Sequence, residues 1–406
     1  MRALRYAAVV GALSASLVCP AARAQDIPCV APEPATGTPA TPQDVAQVRR
    51  FATGAGVRVA VIDTGVAPNP EFAHVSPGAD FVSPGAPNPL LDCDGHGTVV
   101  AGIIASATLG IAPDVELLSI RQTSQHYRSI DSAGSLSSLA DAIGDALDRG
   151  ARVINISVVS CLDPRDAARL DTRPLDDVLR RAEETGAIVI SAAGNETPTC
   201  RQGWRVLPAH APTVLAVGAR EDSHSVASYS VASETGGTPL SAPGSVQAGV
   251  SWGGSGFASG RATDRDTTQP FSGTSFAAPV VTGSVALLLQ RNPTLTPAEV
   301  RARVIAAAEP AGGAVDPLAV VTQTQPDPQP SRAPLSVAQN EAATSPALAR
   351  SRGAAVVMAA LAGLLWCARS SVQGRSRRLR AEGLPLGQQG DNLPRDFFYV
   401  DRPNHR

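Results

Sequence analysis

No lysine occurs in the chain: all 34 basic residues are arginine, which with the abundant alanine points to a GC-rich coding sequence. The net charge is -2, so the basic excess that marks a nucleic-acid-binding protein is missing. Six cysteines are present but no Cys-x-x-Cys pair, which argues against a structural zinc site. Nor is there a clear cage of oxygen ligands; Asp264 and Asp266 stand close in sequence without the rest of a calcium site. No metal or cofactor is therefore expected.

What the chain does hold is organised around Gln269 to Arg291. Ser272-Gly273-Thr274-Ser275 leads into an apolar run, Val280 to Leu289, that is too long for a strand and predicts a buried helix. Ser275 would sit at its N-terminus, where unpaired N–H groups and the helix dipole favour developing negative charge. Pro279 is expected in the first turn, where its missing N–H costs little. Taken alone, a serine there is more often an N-cap. A serine nucleophile also needs a base to take its proton and a carboxylate to orient that base. Asp63 ends the apolar run Val57 to Ile62, a buried strand in outline, and His96 lies in Asp94-Gly95-His96-Gly97-Thr98, flanked by glycines that let other backbone approach the ring.

The stretches VAVIDTGV, DGHGTVVAGIIAS and SGTSFAAPVV, in that order, closely resemble the three signature blocks of subtilisin-like serine proteases. The resemblance spans roughly Ala52 to Val320 and implies Asp63, His96 and Ser275 as a catalytic triad. A fourth block, Ala192-Ala193-Gly194-Asn195, follows the strand-like run Ala187 to Ala192. By the same resemblance Asn195 is the oxyanion donor, beside the Ser275 N–H; such a side-chain amide contributes about 3 to 4 kcal/mol to the transition state.

Between these blocks strand and helix signals alternate. Val115 to Ile120 and Arg152 to Val159 read as strands; Leu136, Leu139, Ala140, Ile143 and Leu147 mark a helical face between Ser135 and Gly150. Leu175, Val178, Leu179 and Ala182 mark another between Pro174 and Gly186, and Thr296-Pro297-Ala298-Glu299 opens a third. The fold class expected is α/β, a subtilisin-like, mostly parallel central sheet with helices on both faces. Asp163 to Asp171 and the Gly-rich Ser251 to Gly260 are expected as surface loops, as is Gln122 to Gly134. The family resemblance places the substrate groove after Arg121 and around Ser157 to Ser160, where a peptide would add as a strand. Val158 and Val159 stand where the family usually has glycine.

The ends are of different composition. Arg2 and Arg5, the uncharged run Tyr6 to Val18 and Ala22-Arg23-Ala24 make residues 1–24 an export signal. Export leaves Cys29, Cys93, Cys161 and Cys200 in an oxidising space, where four cysteines allow three pairings. Residues 25–50 form a Pro-rich arm in place of the large pro-domain usual in secreted subtilisins, and 51–321 the catalytic domain. Residues 322–350 are a Pro-rich spacer. Gly353 to Ala368 is an uncharged run with Trp366 near its end, so 351–369 is expected to span the membrane. Arg369, Arg375, Arg377, Arg378 and Arg380 outnumber the arginines before it and place 370–406 in the cytoplasm.

This layout resembles the mycosin branch of the subtilases. The resemblance implies Cys29–Cys93 and Cys161–Cys200 disulfides, an extracytoplasmic protease domain at the cell membrane, protein or peptide substrates, and contact with type VII secretion machinery.

Overall fold

The apolar run Arg58–Asp63 becomes an inner strand of a seven-stranded sheet, its residues 59 to 62 all but inaccessible because both faces are covered. The structure, a computed structural model, describes residues 28–127, 134–222, 225–232, 240–263, 267–310 and 312–323, with 354, 357–366 and 369. Across the sheet the strands run Leu240–Pro243, Leu215–Arg220, Ile188–Ala192, Val153–Ile156, Arg58–Asp63, Glu116–Arg121 and Val75–Asp80, every neighbouring pair parallel. The earliest of these strands in the chain thus has later ones on either side. Its C-terminal end, Asp63, lies at the point where open α/β sheets place their ligands.

Side-chain alternation divides the core. Val59 and Val61 face one layer with the helices His96–Ala105 and Thr274–Arg291; Ala60 and Ile62 face the other, with Leu136–Asp148 and Arg173–Thr185. The helix boundaries follow local chemistry. The Ser135 hydroxyl accepts the Ser138 N–H at 3.1 Å, Gly186 takes φ 81° just past its helix, and Thr296 and Glu299 form a capping box.

Several expectations need correction. Pro279 lies in the interior of the helix Thr274–Arg291 and not in its first turn. A proline there leaves the carbonyl four residues earlier without its helical partner. That carbonyl belongs to Ser275, and it accepts the Ser157 hydroxyl at 2.8 Å instead. Val75–Asp80 is an additional strand that sequence did not mark; Pro77 is accommodated because the strand is at the sheet edge. Asp163 to Asp171 is exposed but contains a helical turn, Pro164–Ala167, capped by the Asp163 carboxylate.

The Gly-rich stretch Ser251 to Gly260 is only in part a loop. Phe257–Ala262 is a strand pairing with Gly249–Val250, Thr268–Gln269 and, from the arm, Pro32–Pro34. The arm is accordingly a packed segment. Val30 N–H donates to the Cys93 carbonyl at 2.9 Å, and after the short helix Gln43–Val48 the Arg49 guanidinium donates to the carbonyls of Ser106 (3.0 Å) and Ala107 (2.8 Å). A cation thus sits at the C-terminal end of the helix that begins with His96.

Residues 327–406 make a separate unit, in which 357–366 are helical with Met358, Leu364, Leu365 and Trp366 exposed. Among the described residues no helix is long and apolar enough to cross a membrane. The expected signal segment, nearly all of the spacer, the tail, Asp264 and Asp266 lie outside the described residues.

Candidate active site

Asp63 is inaccessible to solvent, and its Oδ1 meets His96 Nδ1 at 2.7 Å while accepting the Thr64 N–H at 2.7 Å. A carboxylate can only accept, so Nδ1 carries the proton in this pair and Nε2 keeps its lone pair for use as a base. Close approach of strand and helix depends on the glycines beside His96. A Cβ on Gly97 would lie 2.1 Å from the Gly65 carbonyl oxygen, and one on Gly95, at φ 68°, would strike the Trp252 ring at 2.4 Å. The sequence anticipated backbone near the ring; on one side it is an indole that approaches. The Trp252 N–H in turn donates to the Val30 carbonyl at 2.7 Å, which joins the arm to this packing.

Ser275 is the second residue of its helix and half-buried. The next residue, Phe276, packs on the His96 ring with centroids 5.2 Å apart, which sets the start of this helix beside the histidine. Among the described residues no hydrogen bond joins the Ser275 hydroxyl to His96. Contacts of this kind are commonly long in free enzymes and tighten on substrate. A buried chain that sequence reasoning missed supports the serine from behind. Thr282 donates to Asn155 Oδ1 at 2.8 Å, Asn155 donates to the Ser157 hydroxyl at 2.9 Å, and that hydroxyl donates to the Ser275 carbonyl.

Asn195 reaches the same helix start. Its Oδ1 accepts the Thr274 N–H at 2.9 Å and the Thr274 hydroxyl at 3.1 Å. With the oxygen so engaged, the sense of the amide is set and the Nδ2 hydrogens are its donors at the site.

The structure joins Cys29 to Cys93 and Cys161 to Cys200, with Cα separations of 4.3 and 5.4 Å. They span 64 and 39 residues, for which loop-closure entropy gives about 4 kcal/mol each. The first fixes the arm three residues from His96; the second closes the loop that follows Asn195. Among the described residues no group of three or more His, Cys, Asp or Glu is placed to hold a metal ion.

Sequence reasoning also passed over Asp92. Burial pushes its carboxyl above the ordinary range, hydrogen bonds from Thr98 and Thr64 oppose that shift, and the nearby Asp63 adds to it. A lone aspartate one residue from a cysteine reads as loop; only its burial at the junction of two site elements marks it.

The profile of the Subtilase family, Peptidase_S8, matches residues 54–349. Mycosin-1 of Mycobacterium tuberculosis is 38% identical over 317 residues, 68% of either chain. A crystal structure of MycP1 from Mycobacterium smegmatis superposes with a TM-score of 0.67 at 32% identity, covering 77% of this chain and 93% of that one. A chain in the structure of an intact ESX-5 inner membrane complex gives 0.66 at 28% identity, covering 85% and 94%. The chain belongs to the subtilase family of serine proteases, and it is similar to mycosins, relatives of components of ESX type VII secretion systems.

Proposed function

We propose that the chain is an exported, membrane-anchored serine endopeptidase acting with a type VII secretion system, in which Asp63, His96 and Ser275 form the triad and Asn195 the oxyanion site. The observation that carries the proposal is the 2.7 Å contact between the buried Asp63 carboxylate and His96, set against the start of the helix Thr274–Arg291 that carries Ser275.

In this mechanism His96 Nε2 takes the Ser275 hydroxyl proton as the oxygen attacks the peptide carbonyl. Asp63 holds the ring by Nδ1–H and stabilises the imidazolium that forms. The Asn195 amide and the Ser275 N–H, at the positive end of the helix, receive the tetrahedral oxyanion. The imidazolium then protonates the leaving amine, and the acyl-enzyme is hydrolysed by water activated in the same way.

The layout proposed is signal segment 1–24, arm 25–50, catalytic domain 51–321, spacer 322–350, membrane helix 351–369 and cytoplasmic tail 370–406. The protease domain would face the extracytoplasmic side. The similarity to chains in a periplasmic assembly of an ESX-5 inner membrane complex supports that side and a secretion-complex partner. It equally favours a second reading, in which the chain mainly stabilises the complex and cleavage is secondary.

Replacing Ser275 by Ala in the cell, with secretion and substrate processing followed separately, distinguishes them. Loss of processing is the expected result. Secretion that survives this change but fails on deletion of the chain would make scaffolding the main role.

A further inference from the structure

The strand end that carries Asp63 and the helix start that carries His96 meet on a carboxylate belonging to neither. Asp92 Oδ1 accepts the Thr64 hydroxyl at 2.8 Å, the Gly95 N–H at 2.8 Å and the Asp94 N–H at 3.2 Å. Its Oδ2 accepts the Thr98 N–H at 2.8 Å and the Thr98 hydroxyl at 2.7 Å. Every partner is a donor, so both oxygens are served in the manner a buried carboxylate requires.

Each hydroxyl passes the linkage on. Thr64 directly follows Asp63 and accepts the Gly97 N–H at 3.0 Å, from the residue after His96. Thr98 accepts the Ala67 N–H at 2.9 Å, from the segment that leaves the strand. The strand side and the helix side are therefore cross-tied twice through one buried group. The contact between Asp63 and His96 is a single bond between the same two elements, and its length follows from how the ties hold them.

A loop needs no such group for its own sake. Taking a carboxylate out of water is costly unless it is paired or fully hydrogen-bonded, and an apolar filler would avoid that cost. What a carboxylate with oriented donors adds is fixed direction at both ends.

We infer that Asp92, acting through the Thr64 hydroxyl, is a positioning residue that sets the geometry of the Asp63–His96 pair. This rests on the reading of Asp63, His96 and Ser275 as the triad. Asp92 touches none of the reacting atoms, so it acts on the efficiency of proton removal from Ser275 and not on binding in the groove.

The test is the reaction of the full-length protein with an alkyl fluorophosphonate, resolved into kinact and KI. Thr64→Val removes the hydroxyl with little change of shape, and Thr64→Ser keeps it. A misplacement of catalytic groups by about an ångström costs up to roughly 100-fold, so Thr64→Val should lower kinact about 10- to 100-fold. KI should stay within about twofold of the parent, the pattern of an interaction made only in the transition state. Thr64→Ser should restore kinact to near the parent value, and Asp92→Asn should fall at least as far as Thr64→Val.

Partial unfolding reduces the labelled fraction and leaves the rate constant of the folded molecules unchanged, so a purely structural role would not give this split. If Asp92→Asn does not fold, the threonine pair decides the matter alone. A Thr64→Val protein that reacts at the parent kinact, or a Thr64→Ser protein that falls as far as the valine variant, overturns the inference and leaves the triad reading standing. A parent protein that does not react at all overturns both.

Discussion

The two halves of the site are held by different means. The proposed acid–base half, Asp63 and His96, has side-chain hydrogen bonds around the buried Asp92 that tie a strand end to a helix start. The proposed nucleophile half, Ser275 and Asn195, rests on one long buried helix, whose start clasps the Asn195 amide through Thr274. Directional bonds place a ring that must turn a particular nitrogen toward the serine. A helix start, with one hydrogen bond from Ser157 to the Ser275 carbonyl behind it, carries a hydroxyl whose field comes from the helix end itself.

Substitutions in each half should separate the two. The largest effect is expected at the proposed nucleophile: Ser275→Ala should lower kcat for peptide hydrolysis by about a million-fold, since members of a triad act as a unit. Any processed peptide produced at an appreciable rate by that variant would place the nucleophile elsewhere. Asn195→Ala comes next, with a loss of about 100- to 1,000-fold in kcat and little change in KM, measured on the same peptide. A loss confined to KM would make Asn195 a binding residue.

Smaller again is Ser157→Ala, which removes the hydrogen bond to the Ser275 carbonyl. If the helix is what holds the nucleophile, the cost should be about 1 kcal/mol in denaturant unfolding, with kcat within about tenfold of the parent. A much greater loss of kcat would show that side-chain bonds govern this half as well.

The smallest effect lies outside both halves. Arg173, by side-chain and backbone hydrogen bonds, lowers the Asp171 carboxyl from its ordinary 3.8 to about 2. Because the folded value is depressed, the associated stability is present above pH 3.8 and is lost as pH falls through about 2. The pair is exposed, so the loss should be slight. In Arg173→Ala the Asp171 carboxyl carbon should titrate at higher pH by NMR, with the rate of peptide hydrolysis unchanged.

What could be read from sequence follows from how local each interaction is, in both halves alike. Four of the seven sheet strands and most of the packed helices were legible because apolar period and capping residues are local: Ser135, Gly186 and the Thr296–Glu299 box each act within a turn of themselves, whereas Val75–Asp80, Leu215–Arg220 and Leu240–Pro243 went unmarked. Asp63, His96, Asn195 and Ser275 stood out because each lies in a short block that resembles a subtilase signature. Asp92, Asn155 and Ser157 did not. Asn155 and Ser157 depend on partners far along the chain, as Ser157 does on Ser275, 118 residues away, and Asp92 on burial that no local pattern marks. The strand Phe257–Ala262 was hidden for a related reason: its Gly-rich sequence gives no period, and part of its pairing comes from the arm more than 200 residues earlier. Pro279 was misplaced by a few residues, and those few residues turn out to free the Ser275 carbonyl.

Treatment of the full-length protein with a fluorophosphonate, with the adduct mapped by mass spectrometry, reads the proposed triad itself. A single adduct on Ser275 is expected in the parent and almost none in His96→Ala. A parent protein with no adduct, or with its adduct on another serine, would rule out Ser275 as the nucleophile.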